Sequence, residues 1–244
     1  MAAGIDYIEW IVDKYGEDVN PVLTSQGRAE LTALKQQYHI ATPAICADWF
    51  MDFPFLRCSP AQLAERELFL HRLIAIAQLI GADHIVLPFV DVSRIQNESE
   101  QQLIVDILGR ATPVATEHNV ELHLETDLAP LAFAALLNRI PQSIVKANYD
   151  SGNSSGMGYI ASEEFAAYGN RIGSIHIKDR YRKPEGGVES RALGLGSADF
   201  DDVFRAMQRV HYNRGITLQV ARGADDDEVA WIRAQAAFVR RLWD

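Results

Sequence analysis

Cysteine is scarce in this sequence of 244 residues, which contains only Cys46 and Cys58. Their spacing matches no CxxC-type motif, so we expect neither a disulfide framework nor a zinc–thiolate site, and the thiols fit a reducing cytoplasm. The sequence also lacks an uninterrupted apolar run of the roughly 18 residues that a membrane span needs. Its N-terminus has no basic segment followed by an apolar stretch, so we expect neither secretion nor membrane insertion.

Positive charge is scarce too, because 23 Lys and Arg residues stand against 33 Asp and Glu residues, for a formal net charge of -10. Such a surface repels phosphates, which argues against nucleic acid and against an anionic membrane surface as partners. We expect a small-molecule partner instead. No linker rich in serine, glycine or proline divides the chain, so we predict a single domain over residues 1–244.

Short apolar runs alternate with longer stretches of helical periodicity, which is the pattern of repeated βα units. The seven predicted strands are residues 5–9, 43–47, 84–88, 121–125, 144–150, 174–178 and 216–220. Two helices are well marked. One follows a capping box at Ser59 and ends at Gly81, and the other carries an apolar stripe from Val229 to Trp243.

Several of these strands alternate polar and apolar residues. Glu121, His123 and Glu125 alternate with two leucines, and the same pattern recurs in the three later strands. Strands of an open parallel sheet are covered on both faces and read as nearly continuous apolar runs. We therefore predict a (β/α)8 TIM barrel, in which the apolar residues face the outer helices and the polar residues point inward toward the carboxyl-terminal rim.

Four residues of the polar set lie at or near the carboxyl end of a predicted strand, namely Glu125, Asp150, His176 and Gln219. Each of them singly is an ordinary capping or hydrogen-bonding residue. Because these strand ends meet at one rim of a barrel, the fold brings the four side chains together. Carboxylate and amide oxygens with one imidazole suit a divalent ion, Mn²⁺, Mg²⁺, Co²⁺ or Zn²⁺, and the set predicts one metal site.

Six segments stand in a characteristic order along almost the whole chain. They are IDYIEW at 5–10, LHLET at 122–126, NYDSGN at 148–153, SIHIKD at 174–179, LGLGSADFDDVF at 193–204 and ITLQVARG at 216–223. In them the chain resembles the xylose-isomerase-like TIM barrels, sugar phosphate isomerases and epimerases that include tagatose and psicose epimerases and hydroxypyruvate isomerase. The resemblance implies carbohydrate metabolism with a metal such as manganese, which chelates adjacent sugar oxygens and stabilises an enediolate while a proton moves.

The resemblance assigns proton transfer to two metal-bound glutamates, at the positions of Glu125 and Gln219. An amide oxygen coordinates a metal, but an amide does not accept and return a proton at neutral pH. Three alternatives stay open: Glu125 works with Lys178 or Asp179, the enzyme performs one-base chemistry such as isomerisation or dehydration, or catalysis is lost. Lys178 also has a purely structural interpretation, as the ion-pair partner of Asp150 or of Glu125.

Substrate contacts are expected at the same rim. The segment 179–196 contains Arg180, other basic residues and four glycines, which indicates a mobile basic loop that either closes over an anionic substrate or is simply solvated. Arg222 leaves a strand at the rim and is better placed to bind a phosphate or carboxylate. The resemblance implies that Glu9 and Asn153 bind sugar hydroxyls.

Two features bear on assembly. The aromatic residues Trp49, Phe50, Phe53 and Phe55 form an apolar wall of the sugar pocket, a homodimer contact or ordinary loop packing. A barrel of this family has eight strands, and its first βα unit is absent before residue 5. Residues 1–4 resemble the end of a helix, as if the sequence began at an internal methionine, or the barrel is open. An uncovered strand edge is an aggregation hazard, so we expect poor solubility.

These observations lead us to expect a cytoplasmic, divalent-metal-dependent isomerase or epimerase of a keto sugar or sugar phosphate. One alternative is a related metal-dependent dehydratase acting on an inosose or a dehydroshikimate-like substrate. Another is a non-catalytic sugar-binding or regulatory barrel that keeps the metal scaffold. An endonuclease of the same fold needs further histidine and carboxylate ligands and a basic DNA-binding face, which the acidic composition opposes.

Overall fold

The computed structural model describes residues 4–14, 20–141, 143–223 and 227–243. Seven of its strands form one sheet in the order β1-β2-β3-β4-β5-β6-β9, and β7 and β8 form a separate antiparallel pair. The strands are β1 (Tyr7–Ile11), β2 (Ala41–Cys46), β3 (His84–Phe89), β4 (Glu121–Thr126), β5 (Val145–Asp150), β6 (Ile172–Ile177), β7 (Asp179–Arg182), β8 (Val188–Arg191) and β9 (Ile216–Leu218). All seven predicted strands are present in the large sheet, with ends that differ by up to two residues.

Helices connect the strands of the large sheet. In the described ranges they are α1 (Ser25–Tyr38), α2 (Trp49–Asp52), α3 (Pro60–Ile80), α4 (Glu98–His118), α5 (Pro130–Asn138), α6 (Ser151–Met157), α7 (Ala161–Tyr168), α8 (Phe200–Arg209) and α9 (Glu228–Trp243). None of these helices has the length and apolarity that crossing a membrane requires. Most of the predicted helix end at residues 1–4 lies outside the described residues.

The chain divides into two compact units. The first consists of Asp6–Leu128 and Ala135–Lys146, and it contains β1 to β4, which pair in parallel. The second includes Ala129–Ala134 and the described residues from Ala147 onward, and in it β5 pairs in parallel with β6, and β6 with β9.

The longest predicted helix of the first unit, α3, begins and ends where the sequence indicates. The Ser59 hydroxyl accepts a hydrogen bond from the Gln62 backbone N–H at 3.3 Å, and the Gln62 side chain accepts one from the Ser59 N–H at 3.0 Å. Gly81 ends the helix in the left-handed region with φ of 75°. The expected apolar stripe is buried, including Leu70 and Leu73. The capping box and the glycine stop are therefore confirmed.

The aromatic cluster of the first unit packs mainly on itself and on β3. The rings of Phe50 and Phe55 are buried and stack with centroids 4.3 Å apart, and Phe55 contacts Phe89 at 6.2 Å. Trp49 lies 4.5 Å from Phe53, which remains exposed. These contacts correspond to the loop-packing alternative for most of the cluster.

Polar residues at the starts of the first unit's strands pair with one another. His123 is fully buried, and its Nε2 lies 2.9 Å from a carboxylate oxygen of Glu121. The other Glu121 oxygen lies 2.8 Å from Lys146 Nζ, and the His123 ring stacks on His84 at 4.3 Å. The inward polar alternation is thus partly structural, and Glu125 at the far end of β4 does not take part in these pairs.

The segment 179–196, for which the sequence predicts a mobile basic loop, contains the β-hairpin formed by β7 and β8. Asp179 pairs with Arg191 at the base of the hairpin. Gly186 and Gly187 adopt φ of 101° and 84° in its turn, a conformation that favours glycine. Two of the four glycines of this segment therefore serve the turn that joins β7 to β8.

The second unit buries a carboxylate that the sequence does not single out. Glu164 on α7 is buried and accepts hydrogen bonds from the Ser154 hydroxyl and, at 2.9 Å, from the Tyr168 hydroxyl. Burial raises the pKa of Glu164 to about 7; these hydrogen bonds oppose the rise, and the nearby Asp150 and Glu163 add to it. Glu164 therefore carries a proton in the folded protein at a pH where it is ionised in the unfolded chain.

This carboxyl group makes stability depend on pH. Because its folded pKa lies above the unfolded value of 4.5, its contribution is fully present below pH 4.5 and is lost as the pH rises through 7. Between pH 5 and pH 8 we expect the free energy of unfolding of the metal-free protein to fall by about 2 kcal/mol more than that of Glu164→Gln. Urea unfolding of both proteins at the two pH values measures the difference, and identical pH dependences would contradict it.

Candidate functional site

Asp150 and His176 are neighbours across the pair β5–β6. They are register partners in the sheet, at the carboxyl end of each strand. Asp150 is 4% exposed and His176 is 0% exposed, and Nδ1 of His176 lies 4.0 Å from Oδ2 of Asp150. Oδ1 of Asp150 accepts a hydrogen bond from the Asn153 backbone N–H at 2.7 Å and so caps α6. One carboxylate oxygen thus serves the helix, and the other faces the imidazole.

Lys178 and Gln219 extend this pair. Lys178 Nζ lies 3.7 Å from Oδ2 of Asp150 and donates a hydrogen bond to the Gln219 amide oxygen at 2.8 Å. The Lys178 side chain is 16% exposed. Gln219 follows β9, and its backbone N–H still donates to the Ile177 carbonyl at 3.1 Å. The second unit therefore brings together Asp150, His176, Lys178 and Gln219, and Lys178 lies within ion-pair distance of Asp150.

Glu125 lies near the end of β4 in the first unit and is 5% exposed. Its negative charge reaches the Cys46 thiol at the end of β2. Burial raises the pKa of that thiol, and the carboxylates of Asp48, Glu9 and Glu125 raise it further. The thiol lies 3.2 Å from Oδ1 of Asp48. Several carboxylates thus concentrate negative charge around the Cys46 thiol. A bound cation would offset the repulsion between these charges.

The predicted substrate-binding residues occupy different surroundings. Asn153 is buried in the first turn of α6, beside the Asp150 cap. Glu9 is half-buried in β1, and Arg180 is half-buried in β7, two residues after Lys178. Arg222 is exposed after β9. Asn153 and Arg180 therefore lie within a few residues of Asp150 and Lys178 along the chain, whereas Arg222 is presented to solvent.

Two buried residues of the site escaped the sequence analysis. Ser151 contacts both the N–H and the C=O of Lys178 through its hydroxyl, at 3.0 and 2.7 Å. Gly152 lies against the Lys178 side chain. Both belong to the NYDSGN segment, which marked the position of Asp150. Their contacts with Lys178, however, depend on the direction in which α6 leaves the sheet, and the sequence does not give that direction.

Asp179, proposed from sequence as a partner of Glu125, is engaged elsewhere. Its carboxylate accepts backbone hydrogen bonds from Gly194 at 2.9 Å, Gly196 at 2.8 Å and Ala198 at 3.1 Å. These bonds anchor the turn after the hairpin. Because three backbone N–H groups donate to it, the Asp179 carboxylate can be buried. The geometry therefore favours Lys178 over Asp179 as the second polar group of the site.

Comparison with known families decides the classification. The profile of the xylose isomerase-like TIM barrel family matches residues 1–242. The chain belongs to this family. The predicted TIM-barrel fold is thereby confirmed, and the described residues of this xylose isomerase-like barrel supply seven strands of its sheet. No curated protein matches the sequence.

Solved structures share this fold at low sequence identity. The IolI protein with a bound zinc atom has a TM-score of 0.81 at 18% identity, over 99% of this chain and 90% of that chain. An L-ribulose 3-epimerase has a TM-score of 0.78 at 16% identity, over 99% and 85%. A xylose isomerase-like barrel protein from Mycobacterium smegmatis, in complex with magnesium, has a TM-score of 0.72 at 16% identity, over 99% and 84%.

Proposed function

We propose that the protein is a divalent-metal-dependent isomerase or epimerase of a keto sugar or sugar phosphate. The observation that carries the proposal is that Glu125, Asp150 and His176 each lie at or near the carboxyl end of a strand and each offer a carboxylate oxygen or an imidazole nitrogen to a cation. All three residues are buried.

The chemistry of the donors supports the same proposal. Two carboxylates and one imidazole suit Mn²⁺, Mg²⁺, Co²⁺ or Zn²⁺, and Gln219 offers an amide oxygen as a fourth ligand. The similar IolI structure holds zinc and the Mycobacterium smegmatis structure holds magnesium. Other proteins of similar fold are an L-ribulose 3-epimerase and a D-allulose 3-epimerase. Sugars are accordingly the substrates to test first.

Each residue has a separate task in this proposal. A bound divalent ion supplies Lewis acidity toward adjacent carbonyl and hydroxyl oxygens of the substrate. Glu125 removes and returns the substrate proton, because Asp150, the other carboxylate of the set, caps α6 and lies 3.7 Å from Lys178 Nζ. Lys178 contacts the substrate as an ammonium group held by Asp150 and Gln219. The Gln219 amide orients Lys178 and moves no proton.

We assign the remaining substrate contacts to four residues around this set. Glu9 and Asn153 bind sugar hydroxyls, and Arg180 and Arg222 bind an anionic group such as a phosphate. Arg180 is the second residue of β7, two residues after Lys178, so the hairpin and the site share one segment of chain. We therefore expect loss of Arg180 to slow the reaction of a phosphorylated substrate more than that of its unphosphorylated counterpart.

The experiment is metal analysis of the purified protein, followed by exchange of solvent deuterium into keto sugars and their phosphates with and without metal. We expect one divalent ion per chain and metal-dependent exchange at the carbon beside the carbonyl. Metal binding without exchange into any compound would contradict catalysis and favour the sugar-binding alternative. Loss of water from a cyclic polyol ketone would indicate the dehydratase alternative instead.

Replacing Gln219 by glutamate tests whether a missing second base limits the reaction. The new carboxylate would lie beside Lys178 Nζ, which is 2.8 Å from the present amide oxygen. We expect Gln219→Glu to raise the rate of epimerisation by about 10-fold or more, because a positioned general base typically contributes at least that much. Product ratios measured by NMR provide the readout, with Gln219→Asn as the control. An unchanged epimerisation rate would place the second proton-transfer group elsewhere.

A further inference from the structure

The location of the Lys178 ammonium group is not determined by the strand that precedes it. Lys178 follows the last residue of β6, Ile177, where the chain leaves the sheet and turns into the hairpin. A long, rotatable side chain at such a point has many accessible rotamers. Its Nζ nevertheless lies 2.8 Å from the Gln219 amide oxygen and 3.7 Å from Asp150 Oδ2. Other residues must therefore restrict both the backbone and the side chain of Lys178.

The Ser151 hydroxyl restricts the backbone. Its oxygen accepts the Lys178 N–H at 3.0 Å, and the hydroxyl donates to the Lys178 carbonyl at 2.7 Å. A hydroxyl group can donate once and accept at the same time, so one side chain holds both peptide groups of a single residue. Ser151 is buried, and water does not compete for these bonds. The start of α6 is thus tied to the point where β6 ends.

Gly152 leaves room for the side chain. A Cβ atom at this position would lie 2.7 Å from Cγ of Lys178, closer than real Cβ contacts come, and 3.0 Å from its Cβ, which is unusually tight. Gly152 lies inside α6 and does not have a positive φ, so its backbone conformation suits any residue. Alanine is ordinarily the better helix former. The glycine is therefore explained by the space that Lys178 occupies.

We propose that Ser151 and Gly152 are positioning residues that direct the Lys178 ammonium group toward Asp150 and Gln219. What Lys178 does to a substrate there rests on the proposed function, but its placement does not. Ser151 fixes the backbone, Gly152 opens a channel for the aliphatic stem, and the amide oxygen of Gln219 receives the charged end. Because Asp150 immediately precedes Ser151, a single segment both offers the carboxylate and orients the cation beside it.

Two measurements on Ser151→Ala and Gly152→Ala test the proposal. The first is the rate at which an amine-acylating reagent labels Lys178 in the metal-free protein, followed by peptide mass spectrometry. The second is kcat and KM for deuterium exchange. We expect labelling of Lys178 to accelerate severalfold in both variants. We also expect kcat to fall by about 10- to 100-fold with KM little changed, since small misplacements of a reacting group cost this much. Ser151→Thr, which keeps the hydroxyl, should restore part of the loss.

The controls separate positioning from general damage. Ser162→Ala, in the first turn of α7, and Gly109→Ala, where an added Cβ meets nothing within 4 Å, should change neither measurement. In a Lys178→Ala background, both test substitutions should have no further effect on kcat, because residues that act through one partner are not additive. If Ser151→Ala does not fold, Gly152→Ala carries the test alone.

Two results would overturn the proposal. One is unchanged labelling of Lys178 in both variants, and the other is a full additional loss of kcat in the Lys178→Ala background. A wild-type protein that binds no metal and exchanges no deuterium would defeat the proposed function instead. The labelling experiment would still decide whether Ser151 and Gly152 position Lys178, since it needs neither metal nor substrate.

Discussion

Replacing Glu125 by glutamine is expected to slow metal-dependent deuterium exchange by about 10²- to 10⁴-fold, the usual contribution of a general base. Glutamine preserves the size of the side chain and an oxygen that can bind a metal, but it does not accept the substrate proton. The comparison is informative because Gln219 already carries the same amide in this chain. We therefore expect the natural and the introduced amide together to leave the site without a carboxylate for proton transfer.

NMR detection of deuterium incorporation at saturating metal measures the effect of Glu125→Gln. Glu117→Gln, on an exposed position of α4, is the control for loss of one negative charge and should match the wild-type rate. Metal content should be determined for both variants, so that a slow rate is not confused with an empty site. Exchange within a few-fold of wild type in metal-loaded Glu125→Gln would contradict the role assigned to Glu125.

Asp150→Asn is expected to weaken divalent-metal binding by at least about 100-fold, since loss of even an outer-shell partner costs up to that amount. Asp150 both faces the His176 imidazole and caps α6, and the substitution separates these tasks. Asparagine is as good a helix cap as aspartate, so the hydrogen bond from the Asn153 N–H is retained. Only the negative charge is lost.

Calorimetric titration of the metal-free protein with Mn²⁺ or Zn²⁺ measures this change. Asp199→Asn is a matched control, because Asp199 caps α8 through the Asp202 N–H at 3.0 Å and takes no part in the proposed metal site. It should bind metal as the wild type does. Asp150→Ala should in addition lower the free energy of unfolding by about 1 kcal/mol, the usual effect of losing a cap. Equal metal affinity in Asp150→Asn and wild type would refute Asp150 as a ligand.

The prediction of the strands succeeded because each is a short stretch of apolar or alternating residues bounded by polar turns, and this signal is local. The ends were less accurate: β1 begins at Tyr7 and β6 at Ile172, two residues from the predicted starts in each case. A strand ends where its ladder hydrogen bonds end, and those depend on the neighbouring strand. The hairpin β7–β8 was missed for a related reason, since its charged residues lack the apolar alternation that marks a half-buried strand.

The part of the site that follows from the parallel arrangement of the strands was predictable. Because carboxyl ends of such strands share one edge of the sheet, Asp150 and His176 could be expected as neighbours, and they are register partners. The burial of Glu164 was not predictable in the same way. Its pKa rises because the carboxyl group is buried, and it is buried where α7 contacts Ser154 of α6. That contact joins two helices whose relative placement no local pattern encodes.

Sequence alone determined the strands, the family resemblance and the candidate metal ligands, since periods of two and the order of βα units dictate which residues share a face and an end. The resemblance also implies a glutamate at the position where this chain has Gln219. Only the tertiary structure decided that the Gln219 amide binds Lys178 and that Ser151 and Gly152 shape the space for this lysine. These relations depend on how a helix and a loop leave the sheet, and such geometry arises from packing between residues distant in the chain.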